Sequence, residues 1–93
     1  MFIAEWQWGP SNEDEMARHG LHPETVYQVW EIDPRYRGNK SGRSSSHQMV
    51  GPDRGGALWV ICIKAIDPQE GLWRAITGWR GEPEDEEWYR RSR

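Results

Sequence analysis

A chain of 93 residues is long enough for one domain, spanning residues 1–93, with a modest core, and its formal net charge of -3 argues against unaided tight binding to nucleic acid. With 7 Trp and 3 Tyr against 1 Phe, the core must lean on large aromatics, and every tryptophan brings an N–H that wants a partner. One Cys excludes an internal disulfide and points to a reducing, cytoplasmic compartment, and no apolar run is long enough to span a bilayer.

The N-terminal stretch MFIAEWQW lacks a basic segment followed by a long apolar one, so it does not read as a signal peptide. Phe2, Ala4, Trp6 and Trp8 alternate with Ile3, Glu5 and Gln7, the period of a short first strand. Gly9-Pro10 breaks it. Ser11 is the expected N-cap of a first helix running to about His19, with Asp14 at capping-box spacing and acids in the first turn, where the helix dipole favours them. Gly20 is placed to end that helix in the left-handed conformation, and Pro23 to open the next. Val26, Val29 and Trp30 then form a buried stripe, and Asp33-Pro34 stops the second helix near Ile32.

Residues 34–46, PRYRGNKSGRSSS, read as a flexible basic loop without periodicity. His47 to Gly51 is a weak strand. Ala57 to Ile66 is the strongest one, nearly continuous in apolar residues, as a central strand covered by helices would be. Cys62 within it reads as a small buried hydrophobe rather than a nucleophile. Leu72 to Thr77 is the last strand. Pro83 starts a third helix, with acids in its first turn, arginines in its last and Trp88 as its core anchor. The order β-α-α-β-β-β-α with short connections predicts an α+β domain, an antiparallel sheet with helices packed on one face.

Charge is segregated along the chain. Arg18 is the only base of residues 1–34, whereas Arg35, Arg37, Lys40, Arg43 and Arg54 face Asp53 alone across residues 35–54. There is no P-loop, dinucleotide fingerprint, HExxH motif or pair of CxxC motifs. His19 and His22 lie at the helix corner without the companions a metal site needs; His19 reads as a helix C-terminal residue. RNA cleavage without a metal needs a base for the 2′-OH, a cation for the phosphate in flight and an acid for the leaving oxygen. Arg74, mid-strand between Trp73 and Ala75, is expected on the open sheet face. A lone arginine there is ordinarily a solvated partner of an acid; the functional alternative is a phosphate contact.

The corner RHGLHPETVYQVW resembles the KHGV-small-x-E-E-V junction of BrnT-like toxins in the RelE/ParE superfamily. The likeness continues through ALWVICI and RAITGWRGEPEDEEWYR, set against R-x-I-S/T-A-R, a spacer and E-R-R-x-Y. It covers nearly the whole chain and implies a RelE-like fold and a cytoplasmic bacterial toxin. Such a toxin is a metal-independent endoribonuclease on mRNA that uses no cofactor and is held inactive by a cognate antitoxin. mRNA or the ribosome would be its target and the antitoxin its route to oligomers; no membrane is involved. Gyrase-poisoning members of the superfamily supply a further possibility.

Carried over, Arg74 matches the arginine of the last strand and Tyr89 the tyrosine of the final helix. Arg43 falls in the basic loop where the family has an arginine. Within this reading Arg74 and Arg43 stabilise the phosphate, His47 or Glu70 moves protons, and Tyr89 or Trp79 stacks a base. Arg35, Arg37, Lys40, Arg54 and Arg80 add RNA contacts. Three positions depart from the pattern: Trp79, Ala57 and Asp85-Glu86-Glu87 stand where it has arginine. The alternative is a catalytically inactive module on the same fold. It would bind a protein through exposed Trp6, Trp73 or Trp79 and the acidic segment from Glu82 to Glu87.

Overall fold

The computed structural model describes residues 1–39 and 45–92. The first helix, α1, is Pro10–Ala17. It starts two residues earlier than Ser11 capping would have it: Pro10 takes the first helical position, and Gly9 in front of it is extended (φ -150°) and serves as the N-cap. Its exit follows the sequence. Gly20 adopts φ 75°, the Gly20 N–H donates to the Ala17 carbonyl, and the Leu21 N–H donates to the Met16 carbonyl, both at 3.0 Å. These paired bonds close the helix as a Schellman turn, whose flanking apolar residues, Met16 and Leu21, are both fully buried.

His22 caps α2, Pro23–Ile32, which buries Val26 and Val29 and ends at Asp33 before Pro34. The strands are β1 (Glu5–Trp6), β2 (Arg35–Gly38), β3 (His47–Pro52), β4 (Leu58–Asp67) and β5 (Leu72–Arg80), followed by α3 (Pro83–Arg91). Among the described residues these form a compact α+β fold of three helices and one five-stranded sheet, ordered β1-β5-β4-β3-β2.

Three expectations are corrected. The sheet is mixed, because β1 runs parallel to β5 while the other pairs are antiparallel. The segment 34–46 is not all loop, since Arg35–Gly38 pairs with His47–Val50 as an edge strand. Its alternation was hidden because the residues flanking Tyr36 are arginines rather than apolar side chains. Residues 40–44 lie outside the described residues. Finally, the helices do not share one face. Met49, Trp59, Ile61, Ile63, Trp73 and Ala75 pack against Met16, Leu21, Val26 and Val29. Gln48 and Cys62 are register partners one residue out of phase with Met49 and Ile61, so they point the other way. Arg37, opposite Gln48, is held by Asp85 and Trp88 of α3. The third helix therefore lies across the second face, where Val50 and Val60 are also fully buried.

The tryptophan N–H groups that reach partners do so at the core margin. Trp59 donates to Asp53 Oδ2 (3.0 Å), Trp73 to the Phe2 carbonyl (2.9 Å) and Trp8 to the Tyr27 hydroxyl (3.2 Å). Trp6 meets Trp30 edge-on, centroids 5.9 Å apart. The Trp73 bond, with two N–H donors from Ala4 and Glu5 to the Gly71 carbonyl, seats the N-terminal segment against β5.

A register shift between Cys62 and Ile63 leaves Ile76 as the extra residue of β5. It turns Gly78 toward the α1–α2 corner. A Cβ on Gly78 would sit 2.6 Å from Leu21 Cδ2 and 2.9 Å from the Val60 carbonyl oxygen. Gly78→Ala is expected to cost about 1–3 kcal/mol, because backbone must shift to make room. A urea melt that moves by less than about 0.5 kcal/mol would contradict that close packing.

Candidate nucleic-acid interface

Four of the five arginines and lysines in the strands lie on the second sheet face, and they fall into two groups. At the β2 edge, Arg37 Nε donates to Gln48 Oε1 at 2.7 Å and Nη2 to Asp85 Oδ1 at 2.8 Å. Its guanidinium stands 4.6 Å from the Trp88 ring centroid. Arg35 pairs with Asp33 at 2.6 Å and lies over the Tyr89 ring. The Tyr89 hydroxyl donates to the Asp33 carbonyl at 2.5 Å. These two arginines, expected to contact RNA, are instead ligated by α3 and the α2–β2 turn. The pairing of Arg37 is not visible in the sequence, because Asp85 lies 48 positions away.

Asp85 is placed by local chemistry. As N3 of α3 it accepts the Glu82 backbone N–H at 2.9 Å in a capping box. Burial pulls its pKa upward, but the hydrogen bonds from Arg37 and Glu82 and the Arg37 charge outweigh that, so it titrates below its ordinary value. Asp53 is likewise lowered, first by the Trp59 N–H and, against some burial, by the Ala57 and Gly55 N–H groups and the Arg80 charge.

The second group is Arg74 with Lys64. Trp73 and Ala75 are in the core, so Arg74 points to the opposite face, as its place in the strand predicts. Lys64 is its direct register partner in β4 and is exposed. Arg74 Nη2 donates to Gln7 Oε1, and Arg74 Nε is buried without a partner among the described residues. Neither cation joins an ion pair there. Like charges directly opposite across strands are destabilising, so the pair is costly unless an anion sits on it. Lys64 was missed in the sequence, although it is the sole charge within the apolar run from Leu58 to Ile66.

The other expected site residues are scattered. His47 is the register partner of Ile63, so it lies on the α1–α2 face, edge-on to Trp73 with centroids 5.7 Å apart and Nδ1 2.9 Å from Ser46 Oγ. Glu70 is exposed in the β4–β5 turn, its N–H donating to Asp67 Oδ1. Arg54 is exposed in the β3–β4 turn, its backbone N–H donating to Gln28 Oε1. Trp79 is half-buried, paired with Val60. Arg80 is exposed at the end of β5, its guanidinium 5.7 Å from the Trp59 ring centroid. Lys40 and Arg43 lie outside the described residues. Arg74 is thus brought beside Lys64 and Gln7, but not beside His47. Trp6 and Trp73, expected as a sticky surface in the alternative reading, are 3% and 5% exposed and belong to the core.

A cleft of about 330 Å³ opens at the far end of the sheet, lined by Pro52, Gly56, Ala57, Leu58, Arg80, Glu86 and Tyr89. Among the described residues no His, Cys, Asp and Glu side chains gather into a set that could hold a metal ion, and no helix is long and apolar enough to cross a membrane. No protein-family model matches the chain, and no curated protein sequence matches it.

Proposed function

We propose that this chain is the toxin of a type II toxin–antitoxin pair, a BrnT-like endoribonuclease that acts on mRNA in the cytoplasm without a metal and is silenced by a cognate antitoxin. The observation that carries the reading is the Lys64–Arg74 pair: two cations set side by side on the face opposite the main core, neither in an ion pair among the described residues. An RNA phosphodiester supplies the missing charge. The planar fork of Arg74 matches phosphate oxygens, and Gln7 fixes its direction. Both cations would stabilise the extra negative charge as the 2′-oxygen attacks phosphorus. His47, on the other face, has no part in this arrangement.

Controlled expression in bacteria tests it. Wild-type chain is expected to arrest growth and deplete full-length mRNA, and Arg74→Ala to do neither. Identical growth of the two strains would overturn the reading. Recovery of a stable protein partner with RNA left intact would favour the non-catalytic interaction module, and altered plasmid topology with RNA intact the gyrase-directed one.

A further inference from the structure

The cleft beyond α3 has a composition that the phosphate chemistry at Arg74 does not use. Its lining is mixed: Pro52, Ala57 and Leu58 contribute apolar surface beside polar groups, and Tyr89 lines it too, its hydroxyl bonded to the Asp33 carbonyl. Two opposite charges, Arg80 and Glu86, are among its lining residues. Arg80 is braced against Trp59, and Glu86 projects from the first turns of α3. Both are exposed, and neither forms an ion pair among the described residues. Its volume, about 330 Å³, is at the small end of ligand sites, which suits one nucleotide rather than a peptide.

We infer that this cleft is a guanine-nucleotide subsite, with Glu86 reading the base and Arg80 holding its phosphate. The inference rests on the RNA reading above and adds a sequence preference to it. A carboxylate offers two acceptors side by side. Guanine presents two adjacent donors, N1–H and the 2-amino group, on its Watson–Crick edge. Adenine and cytosine pair one donor with one acceptor there, and uracil has a single N–H between two carbonyls. Glu86 therefore selects guanine, while the Tyr89 ring and the neighbouring apolar side chains of the lining receive the base plane. Arg80, which also lines the cleft, supplies the fork for a phosphate. Five residues of β5 separate Arg80 from Arg74, at most about 20 Å along the strand, so the subsite sets which sequence is cut rather than making the cut. It also gives Glu86 a use at a position where the toxin pattern carries arginine.

Titration of the full chain with GMP, IMP, AMP and guanosine, followed by calorimetry or NMR, tests the assignment. GMP is expected to bind about tenfold or more tighter than AMP, with IMP between them because it lacks the 2-amino group. Glu86→Gln should erase that order. Arg80→Gln should weaken GMP several-fold while leaving guanosine unchanged. Both side chains are exposed, so neither variant threatens folding. Companion measurements use single-stranded RNA with guanine, inosine or adenine at one position. A chain that binds and cuts RNA without preferring guanine, or keeps its preference as Glu86→Gln, overturns the subsite alone. A chain that neither binds nor cuts RNA overturns the reading beneath it as well.

Discussion

Arg37→Ala is expected to destabilise the domain by about 2–4 kcal/mol, a fall in Tm of about 10–20 °C for a chain of this length. The Arg37 and Asp85 side chains keep only 24% and 12% of their exposure, so removing the guanidinium strands a carboxylate that α3 holds in place. The variant also loses the bond to Gln48 and the stack on Trp88, which together fix α3 over the second face. The value falls short of the largest costs measured for buried pairs because Asp85 keeps the Glu82 N–H. Replacing both partners, as Arg37→Met with Asp85→Asn, should recover most of the loss, since no unpaired charge remains and the cap acceptor is kept.

The acid limb of the stability curve carries the same signature. The folded state lowers the Asp85 pKa, so it favours the ionised form. That contribution is complete above the ordinary aspartate range near pH 4 and is lost as the pH falls through the lower folded value. Arg37→Ala should therefore flatten the dependence of stability on pH below about 4. Melts of the two proteins that stay parallel across that range would contradict it.

Arg74→Ala is expected to reduce RNA cleavage by about 10²–10³-fold, the usual consequence of removing one donor aimed at developing charge. Stability should change by less than about 1 kcal/mol. The variant gives up the bond to Gln7, but it also removes a buried, unpartnered Nε and relieves repulsion with Lys64. This contrast separates a phosphate contact from a structural arginine. Arg74→Lys keeps the charge without the fork, so it should retain an intermediate rate. A loss of activity that tracks a loss of Tm would assign Arg74 to the fold instead.

The parts of the fold written in local chemistry were legible. Gly20 and Pro23 fix the α1–α2 corner, the apolar run from Leu58 marks the central strand, and Trp73 and Ala75 place Arg74 on the opposite face. What was hidden depends on partners distant in the chain. The strand at Arg35 reads as loop because its second-face residues are arginines, and only their distant partners, Asp85 and Trp88 for Arg37 and Tyr89 for Arg35, explain how they are half-buried there. The parallel docking of β1 rests on the Gly71 carbonyl and on Trp73, some seventy residues away. The site was legible at Arg74 and not at Lys64, because their pairing exists only once the β4–β5 register and its bulges are set. The face His47 takes is not legible for a related reason: a weak strand does not announce which face its first residue takes.

Incubation of the purified chain with end-labelled single-stranded RNA in excess EDTA tests the central claim most directly. The account predicts cleavage by the wild type that leaves a 2′,3′-cyclic phosphate or 3′-phosphate, falls at least about a hundredfold in Arg74→Ala and drops markedly in Lys64→Gln. Intact RNA in the wild-type reaction, or cleavage that Arg74→Ala leaves unchanged, would contradict it.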